Sequence, residues 1–268
     1  MNNEEFQDII YKKENSGICT LTLNRPERKN ALSHQTFLEI ERVLADMEKD
    51  PNTRVLIITG CKKSSAFSSG GYLDLKFITN TSLEKNQKFQ SELKRISFWN
   101  FSKPVIAAIN GYAIGAGFTM ILLGADLIFM DENAWISFNF VKRGIIAQSA
   151  MSFILPLYLG FQKAKELLYF GDKITAQEAE KLGLVNKVLP PEELLPYSYK
   201  IAKRLIPPNA PSLSIKLMKK TIHAHFREII LQTQELEKKG NKRAFRTHDF
   251  REAIRAFKEG RAPQFKGK

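Results

Sequence analysis

The chain reads as an α/β protein that closes in a run of helices, and three patterns carry that reading. Short apolar runs rich in β-branched residues, Val55 to Thr59 and Val105 to Ile109, have the composition of strands buried on both faces. Each leads into a turn of small residues and then into a helical start, the order that βα units require. Near residue 200 the pattern changes from mixed strands and helices to helices alone.

The elements follow in order. Residues 6–12 and 17–24 pattern as two strands joined by Glu14-Asn15-Ser16-Gly17. Asn24-Arg25-Pro26-Glu27-Arg28-Lys29-Asn30 is a polar loop, and Ser33 is placed to cap a helix through Met47. The strand Arg54–Thr59 runs into a first glycine turn, and Leu83–Trp99 has the spacing of a long amphipathic helix. After the strand Val105–Ile109 comes a second glycine turn, Asn110 to Gly117, opening a nearly uncharged helix from Phe118 to Gly124. Leu127–Met130 and Ala134–Ser137 pattern as short strands. Phe153 to Leu182 is helical, with Thr175 and Glu178 spaced as a capping box. Leu184–Leu189 is a further strand, stopped by Pro190-Pro191, and the helices beyond Glu192 are broken at Pro207-Pro208 and Pro211. The boundary near residue 200 divides the chain into residues 1–200 and 201–268.

Composition narrows the classes. An apolar content of 43% suffices for a sizeable core. No apolar run reaches the ~18 residues of a membrane span, and the acidic start MNNEEFQDII has no signal-peptide core. Cys19 and Cys61 have no metal-ligand spacing and read as buried thiols, so a reducing, cytoplasmic setting without a metal site is expected. The net charge of +13, from 41 basic and 28 acidic residues, suits nucleic acid, an anionic surface or a phosphorylated small molecule. Much of the excess lies at Lys216, Lys219, Lys220, Lys238, Lys239, Lys242, Arg243 and Arg246, in helical patterns that read as solvated faces. No RRM, KH or other nucleic-acid motif accompanies it.

The two glycine turns carry the chemistry. Each follows a strand and leaves free backbone N–H groups at a helical start, where negative charge is stabilised. Two such turns can aim two N–H groups at one carbonyl oxygen. The stretches AFSSGGYLDL (Ala66–Leu75) and NGYAIGAG (Asn110–Gly117) lie between LTLNRPERKNAL (Leu21–Leu32) and FREAIRAFKEGRAPQF (Phe250–Phe265). Together, over nearly the whole chain, they resemble the crotonase (enoyl-CoA hydratase/isomerase) superfamily, nearest its isomerase branch. The resemblance implies an α/β core of stacked strand–strand–helix (ββα) repeats that binds acyl-CoA, with residues 201–268 as a helical trimerisation subdomain. It also implies a homotrimer or dimer of trimers. The substrate is then an acyl-CoA thioester, with coenzyme A as part of the substrate and no separate cofactor.

The same resemblance places the site. Gly71 and Ala116 are the N–H donors to the thioester oxygen, within a surround of Ala66, Ser68, Gly70, Tyr72, Leu73 and Gly115. Arg25, Lys29 and Ala31 belong to the loop that holds the nucleotide end of CoA, and Phe257 and Lys258 lie near a CoA site of the same or a neighbouring subunit. The two glutamates of the hydratases match Thr119 and Phe140. The carboxylate of the isomerases matches Gln148, in a segment with Gly144 and Ala147. The nucleophilic aspartate of the 4-chlorobenzoyl-CoA dehalogenases also matches Gln148, and their histidine has no counterpart near Arg95–Phe98. An amide, a hydroxyl and a phenyl ring cannot serve as general bases at neutral pH, so each of these chemistries lacks a group. Isomerase-type enolate chemistry is the leading reading. Acyl-CoA decarboxylation and a catalytically impaired CoA-binding homologue are the alternatives, and an RNA-binding role for the basic helices stands behind them.

Overall fold

Strands form where the chain is apolar on both faces, and they set the frame for everything else. The computed structural model describes residues 6–71 and 97–268. It contains β1 (Ile9–Lys13) and β2 (Ile18–Leu23), an antiparallel pair, followed by α1 (His34–Lys49) and β3 (Val55–Gly60). Ser33 caps α1 through reciprocal bonds with Thr36, each 3.0 Å. Then come β4 (Ala66–Ser68), a short α2 (Ser97–Asn100), β5 (Val105–Ile109), β6 (Tyr112–Ile114) and α3 (Ala116–Gly124). They are followed by β7 (Leu127–Asp131), β8 (Trp135–Ser137), α4 (Met151–Phe170), β9 (Ile174–Thr175), α5 (Ala176–Lys181) and β10 (Lys187–Leu189). The C-terminal helices are α6 (Pro191–Arg204), α7 (Ser212–Ala224), α8 (Arg227–Ala244) and α9 (His248–Glu259).

Two sheets share the strands. The larger has the order β1-β2-β3-β5-β7-β10, parallel from β2 onward, and the smaller has the order β4-β6-β8-β9. The repeats that begin with β3, β5 and β7 each give one strand to the large sheet and one short strand to the small sheet, as in β5-β6-α3 and β7-β8-α4, whereas the first, β1-β2-α1, keeps both strands in the large sheet. This is the stacked ββα architecture.

Alternation along the central strands builds two cores. Val55 and Ile57 of β3, with Ile106 and Ala108 of β5, face α6 through Leu194 and Ala202. Leu56 and Ile58, with Val105, Ala107 and Ile109, face the opposite side, where α1 supplies Ile40, Val43, Leu44 and Met47. All of these side chains are buried, so β3 and β5 tolerate no polar face.

The structure departs from the sequence reading in three places. The glycine turn at 110–117 contains β6, three residues too short to show a period. The helix read from Phe153 to Leu182 is broken twice, inside α4 at Gly160 (φ +75, ψ 165) and again at Gly171. α4 ends at Gly171 (φ +58), where a Cβ would lie 2.9 Å from the Asn139 Cα, and Thr175 and Glu178 then cap α5 as a reciprocal box. Leu184 and Val185 are buried but lie outside the strand, which starts at Lys187. The helix read over Leu83–Trp99 falls mostly outside the described residues.

The basic C-terminal helices are not uniformly solvated. Lys219 of α7 is 5% exposed and donates to Asp126 (2.6 Å) and to the Lys103 carbonyl (3.0 Å). Asp126 also accepts from the Val105 N–H (2.7 Å), so one carboxylate joins β5, the start of β7 and α7. Burial pushes the Lys219 ammonium below its ordinary pKa, and Asp126 opposes that. Beside it, His223 stacks on Trp99 at 4.0 Å, with a hydrogen bond in each direction. Removing one partner of a buried pair leaves an uncompensated charge and typically costs ~3–5 kcal/mol. Asp126→Asn is expected to lower unfolding free energy by about 3 kcal/mol, since Asp126 itself keeps some water contact. Urea denaturation showing a loss under about 1 kcal/mol sinks this account.

Candidate active site

Two short strands bring the glycine turns together. β4 lies parallel to β6, pairing Ala66 with Tyr112 and Ser68 with Ala113. Both strands run out into glycine, at Gly70-Gly71 and at Gly115-Ala116-Gly117. A Cβ on Gly117 would lie 2.7 Å from the Ser68 Cβ, closer than atoms can approach. Gly70 adopts φ +96, and a Cβ there would lie 2.6 Å from the Ile114 carbonyl. With both side chains absent the turns close, and a Cβ position on Gly71 stands 3.9 Å from the Ala116 Cβ. Ala116 is the first residue of α3, and Gly115 precedes it with φ +49 and ψ −121. The Gly115 N–H is taken by Ser137, and the Gly115 carbonyl accepts from Phe118 and Thr119. The Gly71 and Ala116 N–H groups meet no acceptor among the described residues.

Asn30 fastens the polar loop to the first turn. It is 1% exposed and donates to the Ala66 carbonyl (2.8 Å), while its own carbonyl accepts from the Ser68 hydroxyl (2.8 Å). The Ser69 N–H donates to Lys29 and the Leu32 N–H to Gly70, so residues 29–32 run beside 66–71, with the buried Ala31 in that stretch. Lys29 and Asn30 both have φ +52, a conformation Asn tolerates better than most residues. Arg25 is engaged inside the loop. Its guanidinium bonds the Ala31 carbonyl (2.6 Å) and pairs with Asp8 (3.2 Å), and its exposure is slight. Its geometry is that of a brace for the loop, whereas Lys29 is exposed to solvent.

Of the positions matched to catalytic carboxylates, Thr119 lies on α3, Phe140 packs beside Gly115 at its start, and Gln148 precedes Ser149, which bonds to Thr119. Thr119 is fully buried, and its hydroxyl donates to Ser149 (3.3 Å). Phe140, 5% exposed, packs its ring 3.7 Å from a Cβ position on Gly115. Ala147 is buried and Gln148 half-buried, while Ile146 turns toward α8 and lies 42% exposed. Gly144 (φ +64) allows the 141–144 turn to touch the start of α9. Farther along α9 the exposed Phe257 ring lies 3.8 Å from the Arg143 guanidinium, and Lys258 is exposed. Burial pushes the Arg143 pKa down. Tyr72, Leu73 and Asp74 lie outside the described residues.

Two groups near the segment escape the sequence reading. Glu237 and Asn241 sit on α8 and hydrogen-bond to residues 146–152, and both are almost fully buried. The available signal is their i, i+4 spacing on a helix also carrying the buried Ile230, hidden by the lysines between them. A groove of about 800 Å³ elsewhere gathers Lys62, Lys200, Lys203 and Arg204 beside Tyr199. Lys203 and Arg204 occupy the last turn of α6, where the helix dipole favours cations. None of the residues of the paired turns lines it.

The paired turns, and the loop stitched to them, match a known arrangement along the whole chain. The sequence profile of the enoyl-CoA hydratase/isomerase family matches residues 13–268. The chain belongs to the enoyl-CoA hydratase/isomerase family. It is 34% identical to a crotonyl-CoA hydratase of Syntrophomonas wolfei over 262 residues, covering 97% of this chain and 98% of that one. It is 30% identical to a 1,2-epoxyphenylacetyl-CoA isomerase of Escherichia coli over 268 residues, covering 98% and 100%. Among solved structures it is similar to an enoyl-CoA hydratase/isomerase from Pseudoalteromonas atlantica, with a TM-score of 0.84 and 27% identity over 97% of this chain and 100% of that chain. This family member is an acyl-CoA enzyme of the hydratase/isomerase type.

Proposed function

We propose that the chain binds an acyl-CoA thioester and stabilises its enolate between the Gly71 and Ala116 N–H groups, in the isomerase manner. The observation that carries this reading is the approach of two free N–H groups across the β4–β6 pairing. When the C2–H bond of a 3-enoyl thioester breaks, its electron pair moves onto the carbonyl oxygen, and two fixed donors stabilise that charge. The base that takes the C2 proton returns it at C4, which gives the 2-enoyl isomer with no water consumed. With an amide at Gln148, that base is solvent water in the native chain, and a carboxylate there would replace it. Phe140 supports isomerisation over hydration, because its buried ring occupies the wall beside Gly115 where the hydratase pattern has a glutamate. Thr119, buried and uncharged, likewise supplies no carboxylate to activate water.

A second reading is favoured by the side chains themselves. Thr119, Phe140 and Gln148 leave every matched carboxylate position without a base, which suits a homologue that binds acyl-CoA and turns it over slowly.

Oligomerisation belongs to the same proposal. Leu213, Leu217, Met218 and Ile222 of α7 are each more than half exposed, Leu213 and Leu217 at i, i+4 on one side of the helix and Met218 and Ile222 at i, i+4 on the next. Such a patch marks association, and the family resemblance supplies the trimer or dimer of trimers. Light scattering is expected to give three or six times the mass of a single chain, and a monomer at micromolar concentration ends this part of the reading.

The hole is tested at Ala116. Proline is well tolerated at the first position of a helix, and it removes the N–H. The Gly115 ψ of −121 avoids the helical value that a following proline excludes. Removing one donor of such a hole costs ~10²–10³ in turnover. In a screen of 3-enoyl-, 2-enoyl- and malonyl-type CoA thioesters, Ala116→Pro is expected to fold and lose at least about 100-fold, and full activity in that variant refutes the hole.

Gln148 is tested by restoring a carboxylate. Gln148→Glu is nearly isosteric, and a general base typically contributes ~10²–10⁴-fold. The variant is expected to convert 3-enoyl-CoA to 2-enoyl-CoA faster than the native chain by a factor in that range. A native chain already as fast places the base elsewhere, and two inactive forms that both bind CoA favour the impaired homologue.

A further inference from the structure

One face of α8 holds the segment that carries Gln148. Glu237, Gly240 and Asn241 stand at i, i+3 and i+4 and so share that face. Glu237 is 3% exposed, and its two oxygens accept from the Ala150 and Ser152 N–H groups, each at 2.8 Å. Those donors lie at the start of α4, where unsatisfied N–H groups and the helix dipole favour negative charge. Burial pushes the Glu237 carboxyl up, and the two donors pull it back down. Asn241, 4% exposed, uses both ends of its amide. Its oxygen accepts from the Ile146 N–H (3.1 Å), and its nitrogen donates to the Ile146 and Ala147 carbonyls (3.2 and 3.4 Å). Gly240 permits the contact, since a Cβ there would lie 2.4 Å from the Ile146 Cδ1.

This is more than a helix cap. Ser149 and Ala150 both adopt positive φ, +64 and +60, a conformation that residues with a Cβ hold only when the surroundings enforce it. The same segment reaches the first turn of α3 through Ser149 and Thr119.

We propose that Glu237 is a positioning residue for the acyl-binding wall: by holding the Ala150 and Ser152 N–H groups it fixes the left-handed step at Ser149–Ala150, and with it the place of Gln148 beside α3. The inference rests on the acyl-CoA reading of the site. It gives the C-terminal helices a part in selecting the acyl group, separate from any part in subunit contacts.

The test compares the acyl end with the CoA end in the full chain. Glu237→Gln keeps the shape but turns an NH₂ group toward one N–H. Free CoA is expected to bind within about twofold of native, because the family resemblance assigns the segment to the acyl end of the substrate. The ratio of crotonyl-CoA to CoA affinity, or kcat per folded molecule, is expected to fall by roughly 10–100-fold, the range a displacement of about 1 Å can produce. Should Glu237→Gln fail to fold, Asn241→Ala decides, since it removes the amide that holds Ile146 and Ala147 from the same face. A lowered Tm with ratio and kcat per folded molecule unchanged makes Glu237 merely structural and overturns the inference. An equal loss of CoA and crotonyl-CoA binding overturns it as well. A native chain that binds neither ligand defeats the acyl-CoA reading first, and the inference falls with it.

Discussion

Ser68 packs where a side chain on Gly117 would be, and the Ile114 carbonyl where one on Gly70 would be. These two absences let β4 and β6 pair closely enough for their turns to face each other. The rest of the site is arranged around that approach. Asn30 ties the polar loop to β4, Gly115 redirects the chain into α3, and Phe140 closes over Gly115. The Gly71 and Ala116 N–H groups belong to the main chain, whose geometry is fixed at no cost in side-chain entropy.

The side chains around this frame are those of a dry pocket. Thr119 and Phe140 are buried and uncharged, and Glu237, the buried carboxylate beside residues 150 and 152, is occupied by main-chain N–H groups. Charge is instead used at a distance from the paired turns. Lys219 and Asp126 join α7 to the strand layer, and Arg25 and Asp8 brace the polar loop. Ionic groups here set the positions of elements, while the neutral interior suits a reaction whose charge is carried by the substrate.

What was legible in the sequence follows from the range of each signal. β5 was read with its observed limits because five consecutive apolar residues flanked by Pro104 and Asn110 leave little choice. Ser33 and Thr175 were readable as caps because a cap acts within one turn. β6 and β9 were not, since three and two residues cannot show a period. Lys219 was misread as solvated because lysine usually is, and its partner Asp126 lies 93 positions away. Glu237 was hidden for the same reason, its donors being 85 and 87 positions away. The paired turns were legible as motifs, but the brace role of Arg25 required seeing Asp8 and the Ala31 carbonyl beside it.

The small sheet has a kinetic consequence. β4, β6 and β8 come from three different repeats, and the contacts that shape the site span 38 positions from Asn30 to Ser68, 30 from Thr119 to Ser149, and 87 from Ala150 to Glu237. Each requires closing a long loop before its contact gives anything back, so such pairings form late and slowly. Folding of any one repeat yields strands, a turn and a helix, yet not the pairing of β4 with β6 that brings the two glycine turns together. The contacts that hold residues 66–71 and 146–152 in place are therefore complete only once α8 has been made and has docked.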